Sequence, residues 1–133
     1  MVYILDTNII AYLIRNKDLT LLEKFEIASR DNEIGISSIT YAEICFGLEK
    51  KGNEKLKIKV LAFLDVFKIF PFDENASIEY GKIRAALEKK GKLIGAMDML
   101  IAAHVKSLGG ILVTNNEREF RRVDGLMVEN WVT

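Results

Sequence analysis

The chain is poor in the residues on which much enzymology depends. Its one cysteine, Cys45, has no partner for an internal disulfide and fits a reducing, cytoplasmic setting. Its one histidine, His104, excludes mechanisms that need two and leaves too little for a zinc site. There is no glycine-rich phosphate loop and no G-x-S-x-G elbow. No apolar run approaches the roughly 18 residues of a membrane span. The start, Met1-Val2-Tyr3-Ile4-Leu5-Asp6, lacks the basic region and cleavage site of a signal peptide. Charge of either sign is not in excess: 19 Lys+Arg face 19 Asp+Glu. Whole-molecule charge therefore predicts no attraction to nucleic acid or anionic membrane.

What is present is the material of one folded domain, residues 1–133. Half of the residues are hydrophobic and 29% are charged, the composition of a protein with a real core rather than of a disordered chain. Val2 to Leu5 is short, apolar and ended by Asp6-Thr7-Asn8, which predicts a buried strand. Asp6 and Thr7 are good caps for a helix carrying Ile9, Ile10, Leu13 and Ile14. A second helix is expected from about Asp18 to Ser29, and a short strand at Ile34-Gly35-Ile36. Ser37, Ser38 and Thr40 are cap candidates for a helix running to about Lys50, with Gly52 stopping it. Asn53 to Phe67 reads as helical. Lys68 to Phe72 reads as a strand, and the lone Pro71 places it at a sheet edge. Asp73 caps a long helix through Ile78, Ile83, Ala86 and Leu87, ending at Gly91. Ala96 to Leu108 forms a very apolar helix, Ile111-Leu112-Val113 a fourth strand and Leu126-Met127-Val128 a fifth. Alternating strands and helices predict a parallel sheet covered on both faces, with the site beyond the carboxyl ends of the strands.

Several acids fall in or near those places. Asp6 follows the first strand, Glu43 lies in the apolar stretch Thr40-Tyr41-Ala42-Glu43-Ile44-Cys45-Phe46, and Asp98 stands among Met97, Met99, Leu100, Ile101 and Ala102. The fourth strand is followed by Thr114-Asn115-Asn116-Glu117-Arg118-Glu119-Phe120. Taken singly, each has an ordinary role: a cap, a polar helix face, a first-turn acid or a turn amide. Asp98 resists that reading best, because a carboxylate among apolar groups costs several kcal/mol unless something compensates it. Carboxylates gathered at one sheet edge repel one another unless a cation intervenes, and oxygen donors without His or Cys suit Mg²⁺ or Mn²⁺. Such an ion activates water for phosphodiester cleavage. Thr7, Asn8, Thr114 and Asn116 are candidates to orient ligands or water. His104, six residues after Asp98 and so on another helical face, is expected to be a packed structural residue, and Cys45 a small core residue.

The motifs Leu5-Asp6-Thr7-Asn8, Ala42-Glu43-Ile44 with Gly47-Leu48, Asp98-Met99-Leu100-Ile101-Ala102 and Val113 to Phe120 together resemble PIN-domain ribonucleases. The length and the closing segment from Val123 to Trp131 resemble the VapC toxins of toxin–antitoxin pairs. The resemblance covers essentially the whole chain, and four ordered motifs make it specific. It implies a three-layer α/β/α sandwich with a mostly parallel sheet and Mg²⁺-dependent cleavage of RNA, with Mn²⁺ as a substitute and tRNA among the substrates. It makes Asp6, Glu43 and Asp98 the central acids, with Asp6 and Asp98 on the metal. Glu119 stands where many relatives carry Asp, with Asn116 three residues earlier; Asn116 and Thr7 give polar support. It also implies a homodimer and a VapB-type antitoxin, and Tyr12, Leu13, Leu22 and Phe25 offer apolar surface for self-association.

Basic residues gather locally despite the neutral sum: Lys50, Lys51, Lys55, Lys57 and Lys59; Lys82, Arg84, Lys89, Lys90 and Lys92; and Arg118, Arg121 and Arg122. Phosphate contacts require such local surface, not a basic protein. Two other readings stay open at this stage. One is a different Mg²⁺-dependent phosphoryl hydrolase, although Asp6-Thr7-Asn8 lacks the second Asp of haloacid-dehalogenase-like phosphatases. The other is a non-catalytic partner-binding module with a vestigial acidic pocket.

Overall fold

Five helices begin where a short polar side chain turns back to cap them. Asp6, Asp18, Asn53 and Asp73 each accept from the backbone N–H three residues on, and Ser37 from the N–H of Ile39. The computed structural model describes residues 1–15 and 18–132. In chain order it contains β1 (Val2–Leu5), α1 (Thr7–Arg15), α2 (Leu19–Asp31), β2 (Glu33–Ser37), α3 (Ser38–Lys51) and α4 (Glu54–Leu64). Then follow β3 (Lys68–Phe70), α5 (Glu74–Lys89), α6 (Ala96–Ser107), β4 (Ile111–Val113), α7 (Glu117–Phe120) and β5 (Met127–Glu129). Gly52 ends α3 in the left-handed region at φ 64°, a conformation glycine adopts without steric penalty.

The strands form one sheet in the order β3-β2-β1-β4-β5, and all four pairings are parallel. The chain builds outward from β1 through β2 to β3, then restarts on the other side of β1 with β4 and β5. That reversal opens a crevice at the carboxyl ends of β1 and β4. Because side chains alternate along a strand, each face has its own core. Ile4, Phe70 and Leu112 pack with Ile83 and Leu87 of α5 and Ile101, Ala102 and Val105 of α6. Leu5, Ile36 and Val113 pack with Ile9 and Ile10 of α1, Leu21 of α2, and Val60 and Leu64 of α4. Helices thus cover both faces, giving the three-layer α/β/α sandwich.

Several local expectations are adjusted. Helix α4 ends at Leu64 rather than Phe67, because the N–H groups of Val66 and Phe67 turn back to the carbonyls of Phe63 and Leu64. Strand β3 ends at Phe70, ahead of Pro71, and the N–H of Phe72 goes instead to the Ser38 hydroxyl. On α5, Ile83 and Leu87 are buried, whereas Ile78 is 58% exposed. Cys45 is half-buried rather than in the core. Leu13 is buried and Phe25 half-buried, packed edge-on against Phe67, yet with Leu22 both line an apolar surface pocket.

Candidate functional site

The crevice between β1 and β4 holds the acids that sequence reasoning singled out. Asp6 leaves the end of β1 and caps α1, its Oδ1 accepting from the N–H of Ile9 at 3.0 Å. Its Oδ2 accepts from the hydroxyl of Thr114, just past β4. The same Thr114 oxygen accepts from the N–H of Asn116 at 2.9 Å. One threonine thereby ties the first carboxylate to the loop carrying the fourth motif. Thr114 is fully buried and Asp6 nearly so. Burial pushes the Asp6 carboxyl above its usual range, opposed by the hydrogen bonds from Thr114 and the α1 backbone, while Glu43 adds to the rise.

Glu43 comes from α3 on the other side of β1. Its Oε1 accepts from the hydroxyl of Thr7 at 2.9 Å, which fixes the carboxylate over the start of α1. Asp98 lies in the first turn of α6, where the helix dipole favours its charge. That help is insufficient: burial, then the charges of Glu119, Glu43 and Asp6, push Asp98 up to about 6. Asp98 thus stands close enough to the other three acids to feel their charge. Glu119 is oriented by Asn116, whose side-chain amide donates to Oε2 at 3.1 Å.

Asp6, Thr7, Asn8, Glu43, Asp98, Ile101 and Asn116 line one pocket of about 210 Å³. The structure therefore brings together five of the six predicted site residues directly. Glu119 meets them through Asn116 rather than on the pocket wall. Ile101 was the residue not picked out; its signal is the i+3 spacing from Asp98, which places it on the same helical face. Tyr12 also reaches the rim, its hydroxyl accepting from the Asn115 amide at 3.3 Å, a contact spanning too much sequence for any local pattern to reveal.

The pocket's donors are oxygens, the choice of a hard divalent cation. A set of carboxylates crowded into a half-buried crevice is short of positive charge, so the residues present fit such an ion. Among the described residues, no three or more Asp, Glu, His or Cys side chains are gathered closely enough to hold a metal ion by themselves, so an ion here would keep part of its water shell.

His104 is buried away from this pocket, as expected of a structural histidine. Its Nδ1 lies 2.7 Å from the Ser37 hydroxyl, and its ring meets Phe72 edge-on. Burial lowers its pKa, against the opposing influence of Asp73 and a hydrogen bond with the Pro71 backbone.

Comparison with known proteins gives a consistent picture. A PIN-domain family model matches residues 3–126. The chain is 44% identical over 131 residues to Ribonuclease VapC2 of Haemophilus influenzae strain Rd, covering 98% of each. It is 38% identical over 130 residues to the tRNA(fMet)-specific endonuclease VapC of Shigella flexneri, covering 97% of each. Among solved structures, VapBC2 from Rickettsia felis, bound to a DNA fragment from its promoter, superposes with a TM-score of 0.92. That match has 38% identity and covers 98% of this chain and 99% of the other.

Proposed function

This chain belongs to the PIN-domain family, and from that premise we propose that it is a metal-dependent endoribonuclease, the toxin of a toxin–antitoxin pair. The observation that carries the assignment is the convergence of Asp6, Glu43, Asp98 and Glu119 from four separate elements on one electrostatic field at the sheet's switch point. Mg²⁺, or Mn²⁺ in its place, would be held by Asp6 and Asp98. Such an ion supplies an activated water and neutralises charge developing on the phosphate.

The chain's own groups set the stage. Thr114 fixes the Asp6 carboxylate, and Thr7 fixes Glu43. Asn116 holds Glu119 toward the same space. Glu43 and Glu119 complete the acidic surroundings and position the attacking water. The catalytic unit is the single domain 1–133.

The substrate is RNA, with tRNA the first to test because the Shigella relative is named for it. The partner is a VapB-type antitoxin, as in the solved VapBC complexes, and the toxin itself is a homodimer. A cytoplasmic setting accords with the lone thiol; among the described residues, no helix is long and apolar enough to cross a membrane.

The test is cleavage of RNA by purified protein with Mg²⁺ or Mn²⁺. Asp6→Asn and Asp98→Asn should abolish it, as should excess chelator. Equal cleavage by the variants would overturn the assignment; phosphomonoester turnover without RNA cleavage would favour a different hydrolase.

A further inference from the structure

A second cavity, also of about 210 Å³, opens on the face covered by α5 and α6. Its walls carry Lys82 from α5, Lys90 at the end of that helix, Lys106 from the last turn of α6 and Arg122 just past α7; Asp124 is the one carboxylate lining it. Its floor is apolar, made by buried Ile83, Leu87 and Val123. Three of the cations are positioned. Lys90 Nζ lies 2.9 Å from the Asp124 carboxylate, Lys106 Nζ donates to the Asp124 carbonyl at 3.0 Å, and Arg122 donates to the Leu93 carbonyl at 3.2 Å. Four cations against one carboxylate over an apolar floor make a field that water screens less than at a flat surface.

We propose that this cleft is a phosphate-backbone subsite that holds the RNA substrate beside the acidic pocket. The inference rests on the endoribonuclease reading and adds where the rest of the substrate lies. Two connections join the cleft to the acidic pocket through the chain. Helix α6 carries Asp98 in its first turn and Lys106 in its last, eight residues or about 12 Å apart along the axis. Arg122 stands three residues beyond Glu119 and grips Leu93, in the segment leading into α6. Lys82 and Lys90 are likewise spaced about 12 Å along α5, which suits a chain of phosphates better than one small anion. The acidic pocket repels an RNA backbone, so a cationic site within reach supplies the holding force that the pocket cannot.

The experiment measures binding without cleavage, using the Asp98→Asn protein and a structured RNA across a salt series. Adding Lys82→Ala, Lys106→Ala or Arg122→Ala should weaken binding at least threefold and lower the slope of log affinity against log salt by about 0.7 per contact removed. Arg30→Ala on α2, outside the cleft, serves as the control and should bind like the parent. Unchanged melting temperatures separate lost contacts from lost folding. Parental affinity and salt slope in all three variants would overturn the proposal. So would competition by millimolar inorganic phosphate that leaves the salt slope of RNA binding unaltered, which would mark a small-anion site. Because binding is read independently of turnover, failure of RNA cleavage by the wild-type protein would strike the activity assignment and not this subsite.

Discussion

Asp98 reports the state of the site through its ionisation. Its folded-state pKa of about 6 lies above the ordinary carboxylate value of 3.8, so its ionised form is disfavoured by folding. The neutral carboxyl contributes stability that is fully present below about pH 4 and is lost as the pH rises through 6. Asp98→Asn should therefore melt higher than wild type at pH 7.5 in chelator, with the difference vanishing near pH 4. That displacement, discounted for a half-exposed carboxyl, corresponds to about 1–2 kcal/mol. Thermal melts at the two pH values check this, and adding Mg²⁺ should raise the wild-type melting temperature more than the variant's. His104 acts in the opposite sense. Its folded pKa lies below 6.5, so its contribution is present above pH 6.5 and is lost progressively as the pH falls below that. His104→Gln should flatten the acid limb of urea midpoints measured between pH 7.5 and 5. Thr114→Val tests the tie across the crevice. It removes the donor to Asp6 and the acceptor for Asn116, leaving buried polar groups without their partner. The expected cost is about 1–3 kcal/mol, together with a 10–100-fold loss of metal affinity, read by denaturant titration and calorimetry.

At the level of elements, the legible parts were those with local causes. Asp6, Ser37 and Asp73 were readable as caps because the bond each makes lies within three residues. Val2–Leu5, the 34–36 run and Ile111–Val113 were readable as strands because buried parallel strands are short apolar runs. The end of α4 was not, because two tertiary-supported turns rather than a breaker residue stop it. Helix α7 is one turn long and offers no period to detect. Of the site, the four acids were visible by residue type and motif. The bonds that make them one site join residues 36 and 108 positions apart, and no local pattern records those. The convergence of Lys82, Lys90, Lys106 and Arg122 was hidden for the same reason, since it needs α5 against α6. Gly35 shows an element-level constraint. A Cβ there would stand 2.6 Å from the Phe70 ring and closer still to the Lys68 carbonyl, at the first register pair of the β2–β3 pairing. Gly35→Ala should destabilise the fold by about 1–3 kcal/mol and loosen β3 first, visible as faster amide exchange at Phe70.

For the whole molecule, charge is separated rather than absent. Setting aside Asp6, Glu43, Asp98 and Glu119 leaves 15 acids against 19 bases, so neutrality conceals a negative pocket on a moderately basic body. RNA affinity should then fall steeply with salt even though the net charge is zero. Self-association is tested at the same scale. The exposed apolar side chains Phe46 and Ile78, 69% and 58% accessible, are candidates for a dimer contact beside the apolar pocket lined by Leu13, Leu22 and Phe25. Sedimentation at micromolar concentration should give a dimer mass, and Phe46→Ser should shift it toward the monomer.

The Thr114–Asp6 tie also sets a timetable. Asp6 is among the first residues made, and its partner arrives 108 positions later, with Asn116 and Glu119 following. A nascent chain that has not yet released β4 from the ribosome has only part of its acidic cluster and no hydroxyl to hold the first carboxylate. The acidic cluster is thus assembled only when synthesis of the chain is nearly complete.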